Sequence, residues 1–347
     1  MSKGAELILE NGVRFKGLAF GYTDEDVVGE IVFSTAVTGY QEAITDPAYC
    51  GQLVVFTYPL IGNYGVNSED MESERPYLNA MIVREKCDFP NNFRTEGTID
   101  EFLKKYHIFG IEDIDTRTLT KIIRDNGCMK AIITTKELSE AEVNERLNTV
   151  DMSNAVKTVS TKEIYKIGGG EKHVAVIDLG VKKSTLEALE KRSFKITVFP
   201  YGASADAILS ENPDVVLLSS GPGNPEDIKE TVDTVKKLIG KVPVRGIGLG
   251  HNVIGLALGC EIEKLKYGHH GANQPVKDLK TGRVLVTAQN HEYIISKLAE
   301  SVTETYRNIN DSSCEGICGK CDDVMSVQFS PEAECDVFDK LIMGGRK

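Results

Sequence analysis

Residues 242–259 read VPVRGIGLGHNVIGLALG. A short β-branched run meets a cluster of glycines, and an apolar helical stretch follows. This is the pattern of a buried strand, a tight turn and a short helix. Many α/β enzymes carry a nucleophile at the tip of such a turn, where the backbone is strained. For a residue with a Cβ the strain costs roughly 1–3 kcal/mol. Here the tip is Gly248, which enters positive φ without that penalty and has no side chain. The helix behind it, HNVIGLAL, is expected to aim its first N–H groups at the pocket and to favour an anion or a carbonyl oxygen there.

Upstream of the turn the rhythm is regular. VAVIDLG (174–180), FKITVFP (194–200), DVVLL (214–218) and VPVRGIG (242–248) read as strands. KKSTLEALEKR, SADAILSE and EDIKETVDTVKKLIG lie between them as amphipathic helices. That alternation predicts a doubly wound parallel sheet, with ligands at the carboxyl ends of its strands. The loop SSGPGNP (219–225) and the Gly248 turn both fall at those ends.

Residues 1–150 have another texture. AELILE and VRFKGLAF flank an Asn11-Gly12 turn and read as a hairpin. GEIVFST and GQLVVFTYP add strands; TIDEFLKKY, DTRTLTKIIRDNG and SEAEVNERLNTV add helices. We expect a mixed α+β domain. Residues 151–172 have weak periodicity and end in three glycines, so they read as a linker to a second domain at 173–347.

The chain has 347 residues, enough for two cores, and a net charge of −12, which argues against nucleic acid or an anionic membrane as a main partner. It has no run of 18 apolar residues and no signal-peptide core at MSKGAELILENG, so a cytoplasmic home is expected. Four of the eight cysteines, Cys314, Cys318, Cys321 and Cys335, lie close together in sequence. Reduced thiols are the default; a zinc or iron–sulfur site is the alternative that the CxxxCxxC spacing leaves open.

The blocks FSTAVTGYQEAITDPAYCGQLVVFTYPLIGNYG, DIDTRTLT, SSGPGNP, GIGLGHN, YGHHGANQPV, TAQNHEY and SVQFSPEA, in this order, resemble the small subunit of carbamoyl-phosphate synthetase, a class I glutamine amidotransferase. The resemblance implies a small-subunit N-terminal domain followed by a glutaminase-like domain. It also implies a large-subunit partner that uses ATP, magnesium and bicarbonate, with no cofactor in this chain. The pathway would be pyrimidine or arginine synthesis.

That family hydrolyses glutamine at a Cys–His–Glu triad. The family's cysteine position is Gly248 here, its histidine position is Ser330, and only Glu332 survives. Other family positions also differ. A glutamine-binding Gln is Asn252, a serine is Ala48, and a glycine is Glu292, followed by Tyr293. Gly221, Gly223, Leu249 and Asn290 remain.

His251 and Cys260 do not stand in for the missing groups. The family's histidine at position 251 is not its base, and Cys260 lies about 15 Å away at 1.5 Å rise per residue. Glu332, without a base to orient, reads as a leftover surface or helix-start carboxylate, and His269 and His270 as loop residues.

The expectation is a subunit that has lost glutamine hydrolysis and still serves an ammonia-using large subunit. Ammonia-dependent members of the family keep this domain with the nucleophile replaced. The alternative is a small-molecule or metal-binding sensor built on an inactive amidotransferase fold.

Overall fold

The computed structural model describes residues 3–320, 323–332 and 335–344. It divides into two compact units, one holding residues 1–152 and 266–270, the other 153–265 and 271–347.

In the first unit the strands are β1 (Lys3–Leu9), β2 (Arg14–Gly21), β3 (Val27–Ser34), β4 (Gln52–Phe56), β5 (Leu60–Ile61), β6 (Ala80–Ile82), β7 (Glu85–Lys86), β8 (Phe109–Glu112) and β9 (Met129–Thr134). Seven of them close a barrel in the order β1-β2-β8-β6-β4-β3-β9. Within the barrel β3, β4, β6 and β8 run parallel to one another and the remaining pairings are antiparallel; β5 and β7 form a separate parallel pair. Alternation along each strand builds two apolar layers. Leu7, Leu9, Ile31, Leu53, Val55 and Ile111 fill one cluster. Val32, Val54, Phe56 and Met81 form another with Ile99, Phe102 and Leu103 of the helix Ile99–Tyr106. The expected hairpin is there, with Ile8 opposite Arg14. Barrel closure was not anticipated: it rests on β1 meeting β9, from Glu6↔Thr134 to Leu9↔Ala131.

The second unit is built on β10 (Tyr165–Ile167), β11 (His173–Asp178), β12 (Lys195–Pro200), β13 (Val215–Leu218), β14 (Val244–Ile247), β15 (Glu261–Asp278), β16 (Val284–Lys297), β17 (Val302–Asn308), β18 (Cys314–Gly319) and β19 (Val324–Val327). They form one sheet in the order β10-β12-β11-β13-β14-β19-β18-β16-β15-β17. The predicted parallel strands are its centre. Helices cover both faces: Ala175, Ile177 and Leu218 pack with Ile208, Val232 and Val235, while Val174, Val176 and Leu217 pack with Leu189 and Phe338. β12 and β13 lie on opposite sides of β11, so the strand order reverses there. The carboxyl ends beside that reversal are where such sheets open a crevice. The flank β18-β16-β15-β17 extends the sheet beyond the predicted parallel set.

The stretch expected to be a linker is structured. Residues 155–159 form a helix, and β10 pairs antiparallel with β12. Asp178, at the end of β11, holds this segment in place. Its buried carboxylate accepts the N–H groups of Thr161 at 2.7 Å, Gly180 at 2.9 Å and Val181 at 2.7 Å. Burial raises its pKa, and the three donors pull the other way. His269 and His270, expected in a loop, are buried residues of β15. Within the first unit the His270 ring stacks on Tyr49.

Asp178→Ala strands three N–H groups, each costing about 1–3 kcal/mol when left unpaired. Urea unfolding is expected to show a stability loss of about 3 kcal/mol or more, with a smaller loss for Asp178→Asn, which keeps one acceptor oxygen. A loss for the alanine variant below about 1 kcal/mol would mean that water replaces the carboxylate.

Candidate active site

Four loops meet at the carboxyl ends of β11, β13, β14 and β19. They begin at Leu179, Ser219, Gly248 and Gln328. The glycines at 246, 248 and 250 build the central turn for two separate reasons. Gly248 sits at φ 57° and ψ −117°, a backbone region open to glycine and strained for any other residue. Gly246 and Gly250 are steric. A Cβ on Gly250 would lie 2.4 Å from the Leu218 carbonyl oxygen, and one on Gly246 would lie 2.7 Å from the Gly250 oxygen. Strand and helix pack backbone against backbone here.

Gly248 donates its N–H to the Val327 carbonyl at 3.0 Å, which ties the tip to β19. The helix that follows, Leu249–Ala257, has no side-chain cap. Its first N–H groups do not form the open row expected from the sequence. Gly250 donates to the Ser219 carbonyl at 3.1 Å, and His251 and Asn252 donate to the Gly248 carbonyl at 3.0 and 3.4 Å. Of these first four donors, the Leu249 N–H is the one outside these bonds. A Cβ built on Gly248 would stand 3.2 Å from Ser220 Cβ and 3.8 Å from the Gln328 oxygen, so the place for a side chain is tight but present.

Gly221 is fixed by the same close packing: its Cβ would fall 2.0 Å from the Leu179 carbonyl oxygen. Gly223 takes φ +83°. The GPG loop therefore lies against the end of β11, beside the reversal in strand order.

The structure brings a residue to the site that the sequence reading missed. Lys182, buried at the cap position of the helix Lys183–Glu190, donates its Nζ to Ser330 Oγ at 3.0 Å. The same ammonium lies 3.6 Å from Glu332 Oε2, and the two side chains are 10% and 9% exposed. Thr185 donates its hydroxyl to the other Glu332 oxygen. Glu332 is therefore not a leftover surface carboxylate. It is a buried charge held by an ammonium and a hydroxyl, as a buried carboxylate requires. Ser330 accepts in its bond to Lys182, and an ammonium has no lone pair with which to take the serine proton. Nothing in this arrangement turns Ser330 into an activated nucleophile.

His251 and Cys260 are disabled by burial. The His251 ring is wholly enclosed, its Nδ1 meets Ser326 Oγ at 2.9 Å, and its pKa is pushed down to about 3. Cys260 accepts the Ala299 N–H on its sulfur at 3.4 Å, and burial raises its thiol. Asn252 donates Nδ2 to the Tyr293 carbonyl at 3.1 Å, while its buried Oδ1 has no hydrogen-bond partner among the described residues. Glu292 is buried, with Lys264 Nζ 3.9 Å from its carboxylate and over the Tyr293 ring. Leu249 is buried and Asn290 half-buried on β16. Ala48 is buried in a 3-10 turn of the first unit, its N–H on Asp46 Oδ1 at 2.9 Å.

Cys314 and Cys318 both lie on β18, four residues apart. At about 3.3 Å per residue they stand roughly 13 Å apart, beyond the reach of one ion with metal–sulfur bonds near 2.3 Å. Burial pushes the Cys314 thiol up to about 12. Cys321 and the Cys335 side chain lie outside the described residues.

Comparison with known proteins accounts for both units. A model of the class I glutamine amidotransferases matches residues 175–344, so the second unit has the fold and turn of that class. A model of the carbamoyl-phosphate synthase small chain, CPSase domain, matches residues 7–133. The carbamoyl phosphate synthase small chain of Clostridium perfringens is 50% identical over 329 residues, which is 95% of this chain and 94% of that one. The small chain of Oceanobacillus iheyensis is 46% identical over 335 residues, 95% of this chain and 91% of that one. The pyrimidine-specific small chain of Bacillus subtilis is 44% identical over 329 residues, 94% and 90% of the two chains. The chain belongs to the carbamoyl phosphate synthase small chain family. Among the described residues no helix is long and apolar enough to cross a membrane.

The enclosed His251 leaves a signature in stability. In the unfolded chain an imidazole binds a proton below about pH 6.5. In the fold it stays neutral down to about 3. The unfolded state thus binds more protons in this window, and stability falls as pH drops from 6.5 toward 3, by roughly 1.4 kcal/mol per pH unit from this group. Denaturation series at stepped pH are expected to show that slope and to lose it in His251→Gln.

Proposed function

We propose that this chain is a carbamoyl phosphate synthase small chain without glutaminase activity, acting in the cytoplasm with a large chain that takes free ammonia. ATP and magnesium belong to the large chain, and this chain carries no cofactor. The observation behind the reading is the turn itself. Glutamine hydrolysis in this class needs a thiolate, a base that activates it and a carboxylate that orients the base. Gly248 offers no atom beyond Cα, and the position that would carry the base holds Ser330, bonded to Lys182. The remaining carboxylate, Glu332, is engaged by Lys182 and Thr185. Triad members act as a unit, so losing two of them removes several orders of magnitude in rate.

The altered substrate positions support the same reading. Asn252 spends its amide donor on Tyr293, and Glu292 places a carboxylate where the family has a glycine. What remains useful is the scaffold. The elbow, the GPG loop and the sheet serve as packing, and the first unit, whose strands close a barrel, matches the small-chain CPSase domain over residues 7–133.

The test is carbamoyl phosphate formation by this chain with the large chain, supplied with ammonia or glutamine as the sole nitrogen source. Turnover is expected with ammonia and not with glutamine, and omitting this chain should lower the ammonia rate. Turnover with glutamine would sink the reading.

A second measurement probes the turn. Gly248→Cys alone is expected to lower stability by roughly 1–3 kcal/mol, because a Cβ is forced into the strained region. Gly248→Cys with Ser330→His returns both missing groups. Glutamine hydrolysis above background is expected in that pair, at high glutamine, and in neither single variant.

A further inference from the structure

The sequence holds two Asn-Gly pairs, Asn11-Gly12 and Asn126-Gly127. Such pairs are chemically labile. Glycine has no Cβ to shield its backbone nitrogen, and the asparagine side chain puts a carboxamide carbon within ring-closing reach of it. The fold treats the two pairs differently.

Asn11 and Gly12 form the tip of the hairpin between β1 and β2. Gly12 donates its N–H to the Leu9 carbonyl at 2.8 Å, and Leu9 donates to the Val13 carbonyl at 2.9 Å. With Gly12 at φ 85°, this is a type I turn closed by a left-handed glycine. Residues 11 to 13 are exposed. Asn11 Oδ1 accepts the Val13 N–H at 3.1 Å, which draws electrons away from the carboxamide carbon. Its Nδ2 makes no hydrogen bond among the described residues. The Gly12 nitrogen is held by the Leu9 carbonyl, in an exposed tip of the kind that opens locally at small cost.

Asn126 and Gly127 are locked into a helix end. Asn126 is the last residue of the helix Thr116–Asn126, and its Nδ2 donates to the Ile122 carbonyl at 2.9 Å. Gly127 is buried and donates its N–H to the Ile123 carbonyl at 2.7 Å. Cys128, which follows, donates to the Lys266 carbonyl at 2.8 Å. The attacking nitrogen and the leaving amide are both tied down, and freeing them means unwinding the final turn of the helix.

We propose that Asn11 is a site of spontaneous modification, at which the folded protein converts asparagine to aspartate and isoaspartate, and that Asn126 is protected. The Gly12 nitrogen gives its proton to water and attacks Asn11 Cγ. The N–Cγ bond forms, the Cγ–Nδ2 bond breaks, and the amide leaves as ammonia with a proton from water. Water then opens the cyclic imide at either carbonyl. Water is the co-reactant throughout, and nothing is oxidised or reduced.

The effect falls on the seam of the barrel. Glu10 donates its N–H to the Lys130 carbonyl at 2.9 Å and accepts the Lys130 N–H on its carboxylate at 3.2 Å. These bonds extend the β1–β9 pairing that closes the barrel. Both products put a second carboxylate beside Glu10. Isoaspartate also carries the backbone through its side-chain carbon, which lengthens a turn whose span is set by two cross-bonds.

The experiment holds the full-length chain at mildly alkaline pH, native and in urea, and follows the amide-to-acid mass change at each site by peptide mass spectrometry. In urea the two pairs are expected to convert at similar rates. In the native chain Asn11 is expected to convert about 10-fold faster than Asn126 or more. The aged native chain is expected to melt at a lower temperature than the fresh one, and N11Q, whose longer side chain closes the ring far more slowly, to show no such shift. Native conversion at Asn126 as fast as at Asn11 overturns the proposal. So does a native chain whose Asn11 stays intact while the chain in urea converts. An unchanged melting temperature after Asn11 has converted overturns the effect on the seam.

Discussion

The second unit turns on one constraint: the helix Leu249–Ala257 packs backbone to backbone on β13 and β14. Gly250 lies so close to the Leu218 carbonyl that no Cβ fits, and Gly246 meets Gly250 in the same way. For the chain to leave β14 and enter that helix in a single residue, the residue between them must take φ 57° and ψ −117°. Packing dictates that conformation, and the chemistry that such turns serve in other proteins is not needed to explain it. The turn is needed whether or not its tip carries a nucleophile. Glycine at the tip relieves roughly 1–3 kcal/mol of strain that a side chain would impose. By backbone conformation alone, glycine is the residue favoured at this position.

The same logic applies to Glu332. A carboxylate is a liability when buried, because an uncompensated buried charge destabilises the fold strongly. Lys182 and Thr185 compensate it, and Lys182 gains a second contact at Ser330. Removing either charge alone would leave the other uncompensated, so stability by itself is reason for the pair to persist. A charged residue held in this way is thus weak evidence of activity.

Reading the sequence located the site and only part of its contents. The parallel strands, the GPG loop and the Gly248 turn were legible because each is written in a few consecutive residues by β-branching and glycine spacing. Lys182 was not. It follows Val181 in what reads as an ordinary charged helix start, and it reaches Ser330 across 148 residues of chain. Barrel closure was hidden for the same reason, since β1 and β9 meet from opposite ends of the first unit. The segment before β11 was misread for a different cause. Its strand β10 is three residues long, too short for any periodicity, and the three glycines beside it resemble a linker. What makes it structure is the Asp178 carboxylate and the edge of β12, neither of which is local to it. For the thiols, the metal alternative needs the chain to turn between them, whereas Cys314 and Cys318 sit on one extended strand.

The core of the second unit constrains its site. Its parallel sheet is covered on both faces, so β11, β13 and β14 have no stable state apart from the helices that pack on them. The turn and the Gly221 loop are part of that packing, so they can be lost only with the domain itself. Substrate groups are held differently. Asn252, Glu292 and Ser330 present polar tips whose identity the backbone contacts of the core do not dictate. Catalysis can therefore vanish residue by residue, while the scaffold, fixed by close backbone contacts, is kept or lost whole.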